Sequence, residues 1–108
     1  MIKYKIVVAS LSGCGTCKEL KDTLIQNNIQ FVDVPCDKDP QLCDQIESIT
    51  KSAKYPMVVI KDLTQNLDYI YFKNFNYNEL GKENIIDSKI RTVGFFSNQE
   101  ILNKIKSL

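Results

Sequence analysis

Two of the four cysteines in this 108-residue chain, Cys14 and Cys17, are separated by only two residues. This spacing is found in thiol–disulfide redox pairs and in halves of zinc sites. Cys14 comes just after an apolar run and opens a predicted helix, where backbone N–H groups and the helix dipole stabilise a thiolate. Cys17, one turn later, is expected to be covered. An accessible nucleophile beside a shielded second thiol suits disulfide exchange, so the redox interpretation is preferred.

The other two cysteines, Cys36 and Cys43, leave three alternatives open. All four thiolates could bind a structural zinc, but the spacing from Cys36 to Cys43 is longer than that of a usual zinc knuckle, and we expect no metal site. They could also be inert, packed thiols. The third alternative follows from topology: parallel strands end at one edge of a sheet, which would place Cys36 near Cys14. We hypothesise that Cys36 and Cys43 form a second, reversible redox pair there.

Composition excludes several classes of function. The chain has no histidine, which excludes Cys–His nucleophiles and imidazole proton shuttles. Its formal net charge of +1 does not indicate a nucleic-acid partner. The apolar run after Lys3 and Lys5 is too short for a secretory signal and predicts a first strand. We expect a cytoplasmic monomer that binds neither nucleic acid nor membranes.

Hydrophobic patterning predicts the elements that position the cysteines. Asp39 caps one helix with Pro40 at its first position, and Ser97 with Glu100 forms a capping box for the last helix. Candidate strands cover residues 2–9, 29–34, 57–60, 67–72 and 89–96, and candidate helices cover residues 14–27, 39–52 and the segment after Ser97. This order predicts an α/β fold, with a mixed central sheet of about four strands flanked by about three helices.

Three motifs give the chain a family resemblance. They are Cys14-Gly15-Thr16-Cys17-Lys18, Tyr55-Pro56, and Thr92-Val93-Gly94-Phe95-Phe96-Ser97. Over residues 2–60 and 89–108 the chain resembles the glutaredoxin and thioredoxin families. The resemblance implies one thioredoxin-like domain over residues 1–108, with an insertion around 62–88. It also implies a cis peptide bond before Pro56, where the preceding backbone pairs with bound substrate. The substrate-binding residues expected from these motifs are Gly15, Thr16, Tyr55, Pro56, Gly94 and Ser97.

The resemblance implies a thiol–disulfide oxidoreductase that reduces protein or glutathione mixed disulfides. Cys14 would attack the substrate, Cys17 would resolve the mixed disulfide, and glutathione or a reductase would reduce the pair again. No bound cofactor is expected, and glutathione is a candidate co-substrate. Two alternatives remain open: a module that binds a [2Fe–2S] cluster through Cys14 and glutathione, and a non-catalytic interaction protein. Thr16 stands where family members often have proline, and residues 10–12 lack the lysine usual in glutaredoxins.

Other side chains near these motifs have two interpretations each. Lys18 either lowers the pKa of a neighbouring thiol by its charge or is simply solvated. Of Phe95 and Phe96, one is expected in the core. Five further aromatic residues either form a partner surface or are buried under the insertion, and burial is preferred; they are Tyr69, Tyr71, Phe72, Phe75 and Tyr77.

Overall fold

A mixed β-sheet with helices on both faces forms the protein, as seen in a computed structural model that describes residues 3–108. Ile2, the predicted first residue of the first strand, lies outside the described residues. The strands are β1 (Tyr4–Ser10), β2 (Val32–Pro35), β3 (Met57–Asp62), β4 (Leu67–Lys73), β5 (Glu83–Ile85) and β6 (Ile90–Phe95). The helices are α1 (Gly15–Gln26), α2 (Pro40–Thr50) and α3 (Asn98–Lys106), with one short 3-10 turn at Tyr77–Glu79.

The strands lie in the order β2-β1-β3-β4-β6-β5. The first two strands are parallel and joined by α1, and β3 pairs antiparallel with β1. A hairpin joins β3 to β4, as the polar turn between them predicted. The β4 and β6 strands are parallel, and β5 covers the far side of β6.

The sheet therefore has six strands rather than about four. Each of the five candidate strand segments overlaps an observed strand, and the addition is β5. This strand has three residues, all exposed, so it lacks the alternation that marks a half-buried strand. The segment 62–88, predicted as an insertion, thus contributes β4 and β5 to the sheet.

Side-chain alternation along the strands divides the core into two layers. On one face, Val8 and Val58 pack with Leu20 of α1 and Ile101 of α3. On the other face, neighbouring strand residues such as Val7 and Val59 pack with α2, and this layer includes Cys17, Cys36 and Cys43. Three of the cysteines are therefore part of one hydrophobic cluster.

Of the two helix caps predicted from the sequence, one is confirmed and the other is wrong. Asp39 caps α2 as predicted, accepting a hydrogen bond from the Leu42 N–H at 3.1 Å. The capping box predicted for α3 is wrong, because the Ser97 side chain makes no capping hydrogen bond. Glu100 instead accepts from the N–H of Phe96, one residue further out, at 3.0 Å. Within residues 3–108, no helix is long and apolar enough to cross a bilayer.

Candidate active site

The Cys14–Cys17 pair lies at the junction between β1 and α1, and the two residues form a disulfide with Cα atoms 5.3 Å apart. Cys14 is the N-cap of α1, and its Sγ accepts a hydrogen bond from the Cys17 N–H at 3.2 Å. Cys14 is half-buried, whereas Cys17 is only 1% exposed. The two thiols thus differ in accessibility in the direction that the sequence predicts.

The loop before Cys14 reverses the chain within a few residues. Gly13 has a φ of +74°, a conformation that side chains rarely adopt, and the Cys14 N–H donates to the Leu11 carbonyl at 3.3 Å. This turn leads from the buried strand directly into the helix. As a result, Cys14 projects at the helix N-terminus, where its sulfur meets an unpaired backbone donor.

The peptide bond between Tyr55 and Pro56 is cis, as the resemblance implied. The Tyr55 carbonyl oxygen lies 3.8 Å from Cys14 Sγ and accepts a hydrogen bond from Thr16 Oγ1 at 3.4 Å. The Tyr55 ring points the other way and is buried, and its hydroxyl donates to the Glu47 carboxylate of α2. Burial, together with this hydrogen bond, raises the pKa of Tyr55 above its ordinary value. The ring therefore anchors the loop while the backbone faces the cysteine pair.

The start of α3 closes another side of the site. Asn98 Nδ2 donates to the Thr16 carbonyl at 3.0 Å, across 82 residues of chain. Asn98, unlike its predicted neighbour Ser97, was not among the expected site residues, because no local pattern marks a side chain that tethers two distant segments. Within residues 3–108, Asn98 Oδ1 is the only buried side-chain oxygen or nitrogen without a hydrogen-bond partner.

Gly94 does not lie with the other predicted site residues. It is buried in β6, and the side chain of Asn74 covers its Cα.

Lys18 donates to Asp22 at 2.9 Å, and this hydrogen bond raises the pKa of Lys18. Because Lys18 is exposed and paired with Asp22, the structure favours the solvated interpretation.

A second disulfide joins Cys36 to Cys43, with Cα atoms 5.7 Å apart. Cys36 follows β2 at the same end of the sheet as Cys14, and its N–H donates to the Ser10 carbonyl at 2.8 Å. A hydrogen bond between Ser12 and Asp37 links the two cysteine loops. Within residues 3–108 the four sulfurs form two separate pairs, and no cluster of metal-ligand side chains is present. The geometry does not match a four-thiolate zinc site.

The aromatic residues divide between core and surface. Phe95 is 1% exposed, so one of the adjacent pair is in the core as predicted, whereas Phe96 is 38% exposed. Tyr71 is buried, and burial raises its pKa to about 12. Phe75 and Tyr77 are exposed, so the preference for their burial was wrong. Phe75 and Tyr77 belong to the segment 74–89, which passes from the end of β6 towards its start. Their rings lie on the side of this segment that faces away from the core.

A comparison with family models supplies the family of the chain. The model described as Glutaredoxin matches residues 6–63, a span that includes most of β1, all of β2 and β3, the Cys14–Cys17 pair and the Tyr55–Pro56 bond. The chain belongs to the glutaredoxin family. The fold is therefore thioredoxin-like, and the glutaredoxin family is one of thiol–disulfide oxidoreductases. A search of curated proteins found no match.

The match covers only part of this glutaredoxin. It ends at residue 63, in the turn between β3 and β4. The segments beyond it include the exposed aromatic residues and Asn98. The nucleophile region is thus shared with the family model, whereas the side of the site formed by residues 74–98 is described by the structure alone.

Proposed function

We propose that this glutaredoxin reduces disulfides, with Cys14 as the nucleophile and Cys17 as the resolving thiol. The Cys14 thiolate attacks one sulfur of the substrate disulfide, forming a mixed disulfide and expelling the other sulfur as a thiolate. Cys17, deprotonated, then attacks Cys14 Sγ and releases the remaining substrate thiolate. Two electrons pass to the substrate, and the Cys14–Cys17 disulfide forms. Water or the departing thiolate accepts the Cys17 proton, because the chain has no histidine.

One observation carries this proposal: Cys14 Sγ at the start of α1 accepts the Cys17 N–H, while Cys17 itself is buried. In the reduced protein the same N–H and the helix N-terminus would stabilise negative charge on Cys14. Burial of Cys17 restricts the first attack to Cys14. Cys17 remains within bonding reach of Cys14 for the second step.

Substrate would lie against the backbone near Tyr55. The Tyr55 carbonyl is directed toward Cys14 Sγ, and Gly15 carries no side chain beside Cys14. An extended substrate strand could pair its backbone at Tyr55–Pro56 while presenting its disulfide to Cys14. The Thr16 hydroxyl donates a hydrogen bond to the Tyr55 carbonyl and would help to fix the direction of that carbonyl.

The oxidised pair must be reduced again by two electrons. Either two molecules of glutathione or one dithiol reductase can supply them, with glutathione disulfide or the oxidised reductase as the product. Residues 10–12, Ser-Leu-Ser, provide no cation for the carboxylate of glutathione. The proposal needs no resident cofactor, since thiols carry both electrons.

The decisive experiment is a turnover assay on one mixed-disulfide substrate with two donors in parallel. One arm contains glutathione, glutathione reductase and NADPH, and the other contains thioredoxin reductase and NADPH. We expect NADPH oxidation in at least one arm with the wild type and none above background with Cys14→Ser. The proposal would be overturned if the wild type reduced the substrate in neither arm and also failed to accelerate its reduction by excess dithiothreitol. The more active arm identifies the donor class.

A further inference from the structure

Three exposed aromatic rings lie together at the end of the sheet that carries the cysteine pair. They belong to Phe75, Tyr77 and Phe96, whose side chains are 53%, 71% and 38% exposed. The Phe75 and Phe96 rings meet edge to face with centroids 5.6 Å apart, and the Tyr77 and Phe96 centroids are 5.4 Å apart. We call this surface the aromatic platform. Phe96 thus contacts both of the other rings, and contiguous exposed apolar area of this kind often marks an interaction site.

The backbone of the segment 74–89 holds the platform in place. The Asn74 N–H donates to the Phe95 carbonyl at 2.8 Å, and the Gly81 N–H donates to the Gly94 carbonyl at 3.0 Å. Leu80 also forms a bridge with Gly94. A Cβ on Gly94 would lie 3.0 Å from Asn74 Cβ, so glycine is what allows the segment to lie this close to β6. Phe75 and Tyr77 are thus presented by a segment bonded to the sheet at both ends.

Two rings of the platform adjoin segments that form sides of the active site. Lys54 Nζ lies 5.0 Å from the centre of the Phe75 ring, and Lys54 immediately precedes Tyr55, whose carbonyl faces Cys14. At the other end, Phe96 lies two residues before Asn98, which holds the Thr16 carbonyl. The rings therefore extend the surface on which the proposed substrate strand would lie.

We propose that the aromatic platform binds a large aromatic or apolar side chain of a polypeptide substrate, close in sequence to the disulfide cysteine being reduced. This inference rests on the proposed function and specifies its substrate class. Such a side chain would bury its own apolar area and that of the three rings, in the offset or edge-on geometry that aromatic groups favour. Glutathione, which has no aromatic group, would gain nothing from this surface. The platform thus favours disulfides that involve a polypeptide cysteine over low-molecular-weight disulfides such as glutathione disulfide.

Binding can be measured without turnover because the chain contains no tryptophan. The probe is a synthetic extended peptide with one tryptophan two residues from a serine that replaces the reactive cysteine. Its fluorescence is followed during titration with the oxidised wild type, with Phe75→Ala/Tyr77→Ala, and with the control Ile25→Ala. Ile25 is also exposed, but it lies near the C-terminal end of α1, away from Cys14. We expect about tenfold weaker binding for the double variant, since two aromatic contacts are lost, and no change for the control.

A second peptide and a second variant separate recognition from damage to the fold. A peptide with glycine in place of tryptophan is used as a competitor. It should bind the wild type and the double variant with equal affinity. This affinity should be about tenfold lower than that of the tryptophan peptide for the wild type. Phe75→Leu/Tyr77→Phe, which keeps apolar area, should recover most of the affinity. Equal affinity of the tryptophan peptide for the wild type and the double variant would overturn the proposed platform. An equal loss of affinity for both peptides in the double variant would also overturn it.

The same proteins are then tested on a small aliphatic disulfide that cannot reach the platform. We expect the wild type and Phe75→Ala/Tyr77→Ala to reduce it at equal rates. If the wild type did not reduce this small disulfide, the proposed oxidoreductase function would be refuted. Binding by the aromatic platform is tested by the peptide titration alone.

Discussion

The Tyr55 carbonyl oxygen lies 3.8 Å from Cys14 Sγ, although 41 residues separate them in the chain. The sheet brings them together: β1 and β3 are antiparallel, and Ala9 near the end of β1 pairs with Met57 at the start of β3. The loop before β3 and the loop after β1 therefore meet at one end of the sheet. A backbone acceptor and a cysteine sulfur are thus held in a fixed relation by strand pairing.

The order of the two cysteines in the reaction is open to direct test. We expect Cys14→Ser to abolish disulfide reduction, because the remaining thiol of the pair is buried. Cys17→Ser should still attack and should then accumulate a mixed disulfide with the substrate, detectable by mass spectrometry. If Cys14→Ser instead forms the adduct and Cys17→Ser does not, the nucleophile and the resolving thiol are reversed.

Asn98 should contribute to stability through its hydrogen bond to Thr16. Asn98→Ala removes the donor to the Thr16 carbonyl, and we expect the free energy of unfolding to fall by about 1 kcal/mol. Urea titration followed by circular dichroism measures this change. Gln99→Ala is the matched control, because Gln99 is exposed and its side chain bonds only within α3. Equal losses in the two variants would show that the change acts through helix propensity and not through the tether.

Gly94 and Gly15 should respond differently to the same added methyl group. In Gly94→Ala the new Cβ would lie 3.0 Å from Asn74 Cβ, so the segment must shift, and we expect a loss of about 1–3 kcal/mol. A Cβ at Gly15 meets no atom within 4 Å and Gly15 is the first residue of α1, so Gly15→Ala should not lower the free energy of unfolding and should raise it slightly. Denaturant unfolding of both variants checks this, and a neutral Gly94→Ala would contradict the close approach.

The hairpin turn should make part of the stability depend on pH. Asp62 accepts hydrogen bonds from the Thr64 hydroxyl and from the N–H groups of Thr64 and Gln65, and these bonds hold the pKa of Asp62 below its ordinary value of 3.8. A depressed pKa stabilises the folded state above pH 3.8, and this contribution is lost as the pH falls through the folded-state pKa. Asp62→Asn should therefore lower the melting temperature at neutral pH, and the difference from wild type should shrink in acid. A difference that is independent of pH would contradict this assignment.

The second cysteine pair should behave as a slower, reversible redox couple. Cys36 and Cys43 are 8% and 3% exposed, so we expect a small dithiol to reduce Cys14–Cys17 first and Cys36–Cys43 later. Reduction of the second pair should lower the free energy of unfolding by about 2 kcal/mol, as expected for a short closed loop. Thiol counting with peptide mass spectrometry measures the order. If mild oxidation of the fully reduced protein consumes only the thiols of Cys14 and Cys17, the second pair is not a redox couple.

Features that depend on a few neighbouring residues could be predicted from the amino-acid sequence. The position of Cys14 at a strand–helix junction, the Asp39 cap with Pro40 behind it, and the strand and helix periods all rest on local backbone preferences and side-chain alternation. These signals are complete within one or two turns of chain. The nucleophile region could therefore be recognised from residues 2–27, which include the first strand, the cysteine pair and the helix that follows.

The contacts between segments that are distant in the chain could not be predicted from the sequence and are seen in the folded molecule. The β5 strand and the exposure of Phe75 and Tyr77 depend on how the segment 74–89 pairs with β6. An aromatic residue carries the same local signal whether it faces the core or water, since its burial depends on what packs over it. Likewise, a polar side chain such as Asn98 acquires its partner only when strand order places two loops side by side, because hydrogen bonds across 82 residues leave no periodic pattern in the chain.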